Sequence, residues 1–315
     1  MQQARPLLFA LIANGAGNAY FAISLPSLAR SMAMPDTHVG LILSLSALLL
    51  IITGPFWGSV CDKFGRKIVL TTGLLATAIT TFMLAMVIDN AALLSAQFAH
   101  LLFIIRVLQA ALSAGLKPAT QATVSDITQS DQRMQAMGMM GATFGAGTMI
   151  GGVLAMLSGQ SWLVEGFILL SLLMTVSSLW VVFKLPDTRR QSHETKSRLY
   201  VSSVLVYLLS TVLCLTIYSG LQPITSWLLQ DQFSLNGDQT IKYTGGIMMS
   251  SMLTMTVTQV SLIRFKSSRS EVQSVVRSIG SLLSAVALIT CALSATPQIL
   301  AFSMGLLGIG FGLFL

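Results

Sequence analysis

Gly58-Ser-Val-Cys-Asp62-Lys-Phe-Gly65-Arg66-Lys67 is a short polar stretch between two apolar runs, Val39–Phe56 and Ile68–Ile88. Each run is long enough to cross the hydrocarbon core of a bilayer as a helix. The stretch between them is therefore a tight loop at a membrane face. Gly65 permits a turn that a residue with a Cβ resists, and Gly58 permits close helix approach. Asp62 and Arg66 supply opposite charges for a latch between helix ends. By spacing alone, the stretch reads equally well as a generic basic loop with a turn glycine.

The same alternation runs outward through the chain. Ten apolar spans are expected, at Leu7–Leu28, Val39–Phe56, Ile68–Ile88, Leu94–Val124, Met134–Leu157, Trp162–Phe183, Val201–Ile224, Thr244–Leu262, Ile279–Ala295 and Ile299–Leu315. Composition agrees: the 315 residues are 54% hydrophobic and 9% charged, whereas soluble domains carry about 25% charge. Secreted, cytosolic and nucleic-acid-binding proteins are excluded on that ground. The net charge of +7 follows topology instead. Fourteen of the 18 basic residues fall in the N-terminal tail or in the loops after spans 2, 4, 6 and 8. The opposite side has only Arg30 and Lys242, and Arg106 and Lys117 lie within a span. Such a bias predicts a cytoplasmic N-terminus in a multi-pass protein of the inner (plasma) membrane. No cleavage site follows the first apolar run, so it is read as a retained helix. Residues 184–199 read as a cytoplasmic linker between a six-helix bundle (1–183) and a second bundle of about four helices (200–315). Leu229–Thr240 reads as a long loop on the other side. Cys61, Cys214 and Cys291 are far apart and match no metal spacing. No metal, cofactor or catalytic constellation is expected.

Gly58, Asp62, Gly65, Arg66 and Lys67 fill every required position of G-x-x-x-D-x-x-G-R-[RK], and the loop resembles this signature of the major facilitator superfamily. Leu102-Phe-Ile-Ile-Arg106-Val-Leu-Gln109-Ala110 is similar to the family's L-x-x-x-R-x-x-Q-G pattern, with alanine for the last glycine. Gly147-Thr-Met-Ile-Gly151-Gly152 resembles the G-P-x-x-G-G element of its drug:proton antiporters, with Thr148 for proline. Leu185-Pro-Asp-Thr188 is similar to the L-P-E-T exit from span 6, whereas Arg264–Arg269 lacks the glycines and aspartate of the repeated loop. The resemblance implies an all-α membrane protein of two helical bundles around a central cavity that opens alternately to each side. Twelve spans are usual, so about ten of twelve are present and the chain is expected to be C-terminally incomplete. Asp62 and Arg66 are implied in an inner-gate charge network, with Asp126 as the partner of Arg66.

Within the spans, Arg106 sits where a charge costs roughly 2.5–3.5 kcal/mol on insertion scales. Lys117 lies eleven residues on, about 20° away and about 16 Å nearer the cytoplasm on a straight helix. With Gln109 they read as a path for an anionic group or as a coupling element, although Lys117 could simply snorkel. Of the eleven carboxylates only Glu165 falls in a span, near its outer end, either as a proton site or as a solvated helix start. Asn14 and Asn18 share a face that substrate or a neighbouring helix can use. Gly145, Gly147, Gly151 and Gly152 read as helix-packing residues. Together these features predict a proton-coupled exporter of a small organic compound (drug, metabolite or siderophore-like organic acid), monomeric in the bilayer, favouring neutral or anionic substrates. An organic-anion importer of the same fold and a truncated, non-transporting membrane protein are the alternatives.

Overall fold

The structure, a computed structural model, describes residues 5–94, 97–128, 133–185, 201–264 and 270–314. Among them all regular structure is helical: α1 (Arg5–Ser31), α2 (Asp36–Phe64), α3 (Arg66–Asp89), α4 (Phe98–Ser113), α5 (Leu116–Ile127), α6 (Arg133–Ser158), α7 (Leu163–Lys184), α8 (Val201–Asp231), α9 (Gly237–Arg264), α10 (Ser270–Ala292) and α11 (Pro297–Phe314). Taken together, α4 and α5 form one passage, so the described residues make ten. Most helices overrun their apolar runs at one or both ends because the polar flanks continue the helix. Asp36, for example, lies in the first turn of α2, where the helix dipole favours an anion.

Two expectations need correction. The fourth span, expected as one helix, breaks at Ala114 and Gly115. Pro118 has no N–H for the Ala114 carbonyl, and its ring crowds that carbonyl. The indole Nε1–H of Trp57 instead caps the neighbouring Ala111 carbonyl at 2.7 Å. Gly115 admits the approach: a methyl there would lie 2.5 Å from Val69 Cγ1 and 2.9 Å from Trp57 Cβ. The second correction concerns Leu229–Thr240, which is mostly helix, with only residues 232–236 between α8 and α9. A capping box starts α9: Asn236 Oδ1 accepts from the Gln239 N–H at 2.8 Å, and Gln239 Oε1 accepts from the Asn236 N–H at 3.4 Å. Residues 186–200, which hold nearly all of the expected linker, lie outside the described residues.

Among the described residues nine helical stretches are long and apolar enough to cross a membrane, α4 and α5 counting as one. The remaining helix, α9, has 28 residues, about 42 Å at 1.5 Å per residue, but is rich in hydroxyls. Two of them bond to neighbouring helices: Thr254 Oγ1 donates to Gly305 O at 2.8 Å, and Ser226 and Thr244 share a bond of 3.1 Å. An outward belt including Ile51, Ile52, Phe56, Leu157, Phe183, Leu282 and Phe302 is exposed. On a soluble monomer such a surface would drive association; in a bilayer it meets lipid. The chain is a multi-pass membrane protein.

Helix α1 is the most enclosed, packed on α6 and α7 and touching α8 and α9, while α9 lies between α6 and α11. These contacts approach backbone distance. A methyl at Gly147 would strike Ile12 O and lie 2.8 Å from its Cα, and one at Gly151 would strike Ala16 O and lie 2.9 Å from Ala19 Cβ. Where α6 meets α9, a methyl at Gly245 would lie 2.6 Å from Gly152 O. Gly141, on the same helix as Gly151, looks onto open space. Gly151→Leu should therefore lower the unfolding temperature of the purified protein in detergent by several degrees, equivalent to about 1–3 kcal/mol of overpacking. Gly141→Leu should leave it within about 0.5 kcal/mol of the parent. Equal effects at the two positions would contradict this packing scheme.

Candidate functional site

At the loop between α2 and α3, Gly65 adopts φ 94° and its N–H donates to Cys61 O at 3.0 Å. The left-handed backbone is one that glycine enters without a Cβ penalty. The next residue, Arg66, opens α3, is buried, and forms an ion pair with Asp126 near the end of α5. Asp126 keeps 26% of its side chain exposed. Asp62 is exposed, with no ion pair among the described residues, and Lys67 is half-buried. The expected two-residue latch is thus placed on Arg66 and Asp126, tying α3 to α5. Gly58, expected to admit a close helix, looks onto open space, because α2 packs against its neighbours through another face.

On α4, the Arg106 guanidinium lies 3.8 Å from the centroid of the Phe21 ring on α1. Its Nη1 donates to Gln109 Oε1, Gln109 Nε2 donates to Thr81 Oγ1 at 3.1 Å, and Thr81 Oγ1 reaches Met174 Sδ at 3.8 Å. Arg106 and Gln109 meet because residues three apart on a helix share a face. Four helices, α1, α3, α4 and α7, thus hold one cation. Its Nε is buried without a hydrogen-bond partner, and no ion pair among the described residues includes Arg106. The ring quadrupole takes the place of a carboxylate.

Beyond the break in the fourth passage, Lys117 is exposed and its Nζ lies 4.6 Å from the Phe144 ring of α6. Asn18 is exposed and donates to both Oδ1 and O of buried Asn14, each at 2.9 Å. Glu165 is exposed in the first turn of α7, with no ion pair among the described residues, as suits a solvated helix start. Gly145 faces Thr256 Oγ1 at 3.8 Å, while Gly147, Gly151 and Gly152 sit in helix contacts. Among the described residues no group of three His, Cys, Asp or Glu side chains could hold a metal. Phe21, Thr81 and Phe144 escape sequence reasoning. Each is an ordinary residue in a span, far along the chain from its partner: Arg106 for Phe21, Gln109 for Thr81 and Lys117 for Phe144.

The opposite end carries a second cluster that sequence reasoning missed, having counted Arg30 only as an exception to the charge bias. The Arg30 fork donates to Asp36 at 2.9 and 2.6 Å, to Asp231 at 2.5 and 3.0 Å, and to Gln230 at 3.1 Å. Beside it, Ser27 Oγ donates to Gly237 O at 3.0 Å and the Gln160 N–H donates to Asp238 Oδ1 at 2.9 Å. These bonds join α1, and the turn after α6, to α8 and α9. At the other end, the Arg66–Asp126 pair stays within the first seven helices. Asp126→Asn leaves the buried Arg66 uncompensated and should destabilise the protein by about 3 kcal/mol at most, since removing one partner of a fully buried pair costs 3–5 kcal/mol. Asp62→Asn should change stability by under about 0.5 kcal/mol. Thermal unfolding in detergent compares them; an equal or larger loss from Asp62→Asn would contradict the placement of the pair.

Comparison with known proteins agrees with this architecture. The chain is 29% identical over 227 residues to the class B tetracycline resistance protein of Escherichia coli, covering 67% of this chain and 54% of that one. It is 29% identical over 126 residues to multidrug resistance protein 1 of Bacillus subtilis (strain 168), covering 40% and 30%. The chain therefore spans about half the length, or less, of these relatives. Among solved structures, an inward-facing, occupied bacterial homologue of the human lysosomal transporter Spinster aligns with TM-score 0.70 at 15% identity, covering 98% of this chain and 71% of that one. The D-xylose–proton symporter aligns with TM-score 0.70 at 11% identity, covering 98% and 80%. These two share the fold. With ten helical passages among the described residues, its signature loop and a family profile matching residues 7–315, the chain belongs to the Major Facilitator Superfamily.

Proposed function

We propose that the protein is a proton-coupled exporter of a small organic compound, working by alternating access with its N-terminus in the cytoplasm of a bacterial inner membrane. The observation that carries the reading is Arg106, a cation held mid-bundle by aromatic and amide groups with no carboxylate partner among the described residues. A polar site at that depth is a functional hypothesis by default. The polar bonds between α1 and α8 and between the α6–α7 turn and α9 suit a structure closed at its outer end. Such bonds are exposed or half-buried, so water can replace them when that end opens. The excess of basic residues at the other end supports its placement in the cytoplasm. Export is favoured by the names of the relatives, which confer resistance to tetracycline, quinolones and multiple drugs.

Import by the same motion is the second reading, favoured by the D-xylose–proton symporter among the structures of like fold. Everted vesicles with an acidified interior separate the two. Export predicts that tetracycline, a quinolone or an organic acid dissipates the pH gradient only in vesicles that contain the protein. Accumulation in right-side-out vesicles driven by an inward proton gradient, with no response in everted ones, would establish import. No proton movement with any compound in either orientation would overturn both readings.

A further inference from the structure

Resting on that transport reading, we propose that the site takes organic monocarboxylates, docked at the Arg106 fork, and that Lys117 is a second station for the carboxylate on its way to the cytoplasmic mouth. A lipophilic cation needs an anion in the site, and among the described residues no carboxylate pairs with either of these cations. An anion finds a prepared partner. Arg106 spends one face on the Phe21 ring and its Nη1 on Gln109, leaving a buried Nε–H unspent. The Nε edge of a guanidinium presents parallel donors to a carboxylate, the geometry that makes arginine its preferred partner. The aromatic partners matter for the same reason. A ring steadies a cation without neutralising it, so the charge stays available to an incoming ligand, as it would not beside an aspartate.

Lys117 repeats the arrangement on the far side of the break, with its Nζ over Phe144 and its side chain exposed. The break at Ala114 and Gly115 divides the two cations between α4 and α5, and each rests on the ring of a different helix, Phe21 of α1 and Phe144 of α6. That division makes them successive stations. A single guanidinium at the inner station matches one carboxylate better than a dianion. The Phe21 ring beside it suits a ligand with an apolar or aromatic body.

The test measures binding of carbon-14 salicylate to the purified protein in nanodiscs at pH 7.5 without a gradient, competed by benzoate and by ethidium. Salicylate should bind and benzoate should displace it, with ethidium without effect. Arg106→Met should weaken binding at least about tenfold, equivalent to 1.4 kcal/mol. Gln109→Glu, which places a carboxylate against the Arg106 fork while keeping the side-chain length, should do the same with no loss of thermal stability. This variant keeps the test decisive should Arg106→Met fail to fold. Lys117→Met should weaken binding less than Arg106→Met, but slow release of bound salicylate. Salicylate bound as tightly by Gln109→Glu as by the parent would overturn the assignment, as would a parent protein that binds ethidium and no carboxylate. Either result leaves the transport reading standing, because that reading fails only when no compound moves with protons in vesicles.

Discussion

Backbone-to-backbone contact between α1, α6 and α9 is the constraint on which the rest of the molecule depends. In lipid the hydrophobic effect gives helices no reason to associate, so packing and polar bonds must hold them. Gly147 and Gly151 bring α6 onto α1, and the pairing of Gly152 with Gly245 brings α9 onto α6. Through those contacts the early and late helices share one buried core, running from Ala16 and Tyr20 to Met304 and Phe311. They also fix the rotation of α1, turning Phe21 toward Arg106 and Asn14 inward. A side chain at Gly151 would shift the helix that carries the aromatic cover of the site.

Charge is handled differently at each depth. At the basic end, Arg66 is paired with Asp126, so a buried cation is matched by an anion that is itself partly wet. At the opposite end, Arg30 is shared by two aspartates and a glutamine, a hydrogen-bonded fork between helices distant in the sequence. Such exposed pairs each contribute little, about 0–1 kcal/mol. Between them, Arg106 and Lys117 have rings and an amide for company. The cations without an ion-pair partner among the described residues thus lie along the fourth passage, between these two ends.

Much of this was legible in the sequence because hydropathy, charge bias and turn glycines are local signals. Nine of the ten expected spans and the Gly65 turn follow from residues close together in the chain. What escaped depended on side chains meeting across long separations: Phe21 on Arg106, Phe144 on Lys117, Arg30 on Asp231. The break in the fourth span was signalled by Pro118, but apolar length outweighed it, and the Trp57 contact that caps the Ala111 carbonyl has no sequence signature. The Asn236–Gln239 box was present in plain view, hidden because a polar stretch beside a membrane reads as loop. Gly58 shows the converse: a small residue permits close packing, but among the described residues nothing lies within 4 Å of where its Cβ would be.

The most direct test of the central claim, that Arg106 is free to receive a carboxylate, is solid-state NMR on the protein in lipid with 15N-labelled arginine and carboxyl-13C salicylate. The account predicts dipolar coupling between the carboxylate carbon and a guanidinium side-chain nitrogen, at a distance of about 4 Å or less as for a hydrogen-bonded pair. That coupling should vanish in Gln109→Glu. A bound carboxylate with no coupling to any arginine, or with coupling that persists in Gln109→Glu, would contradict it.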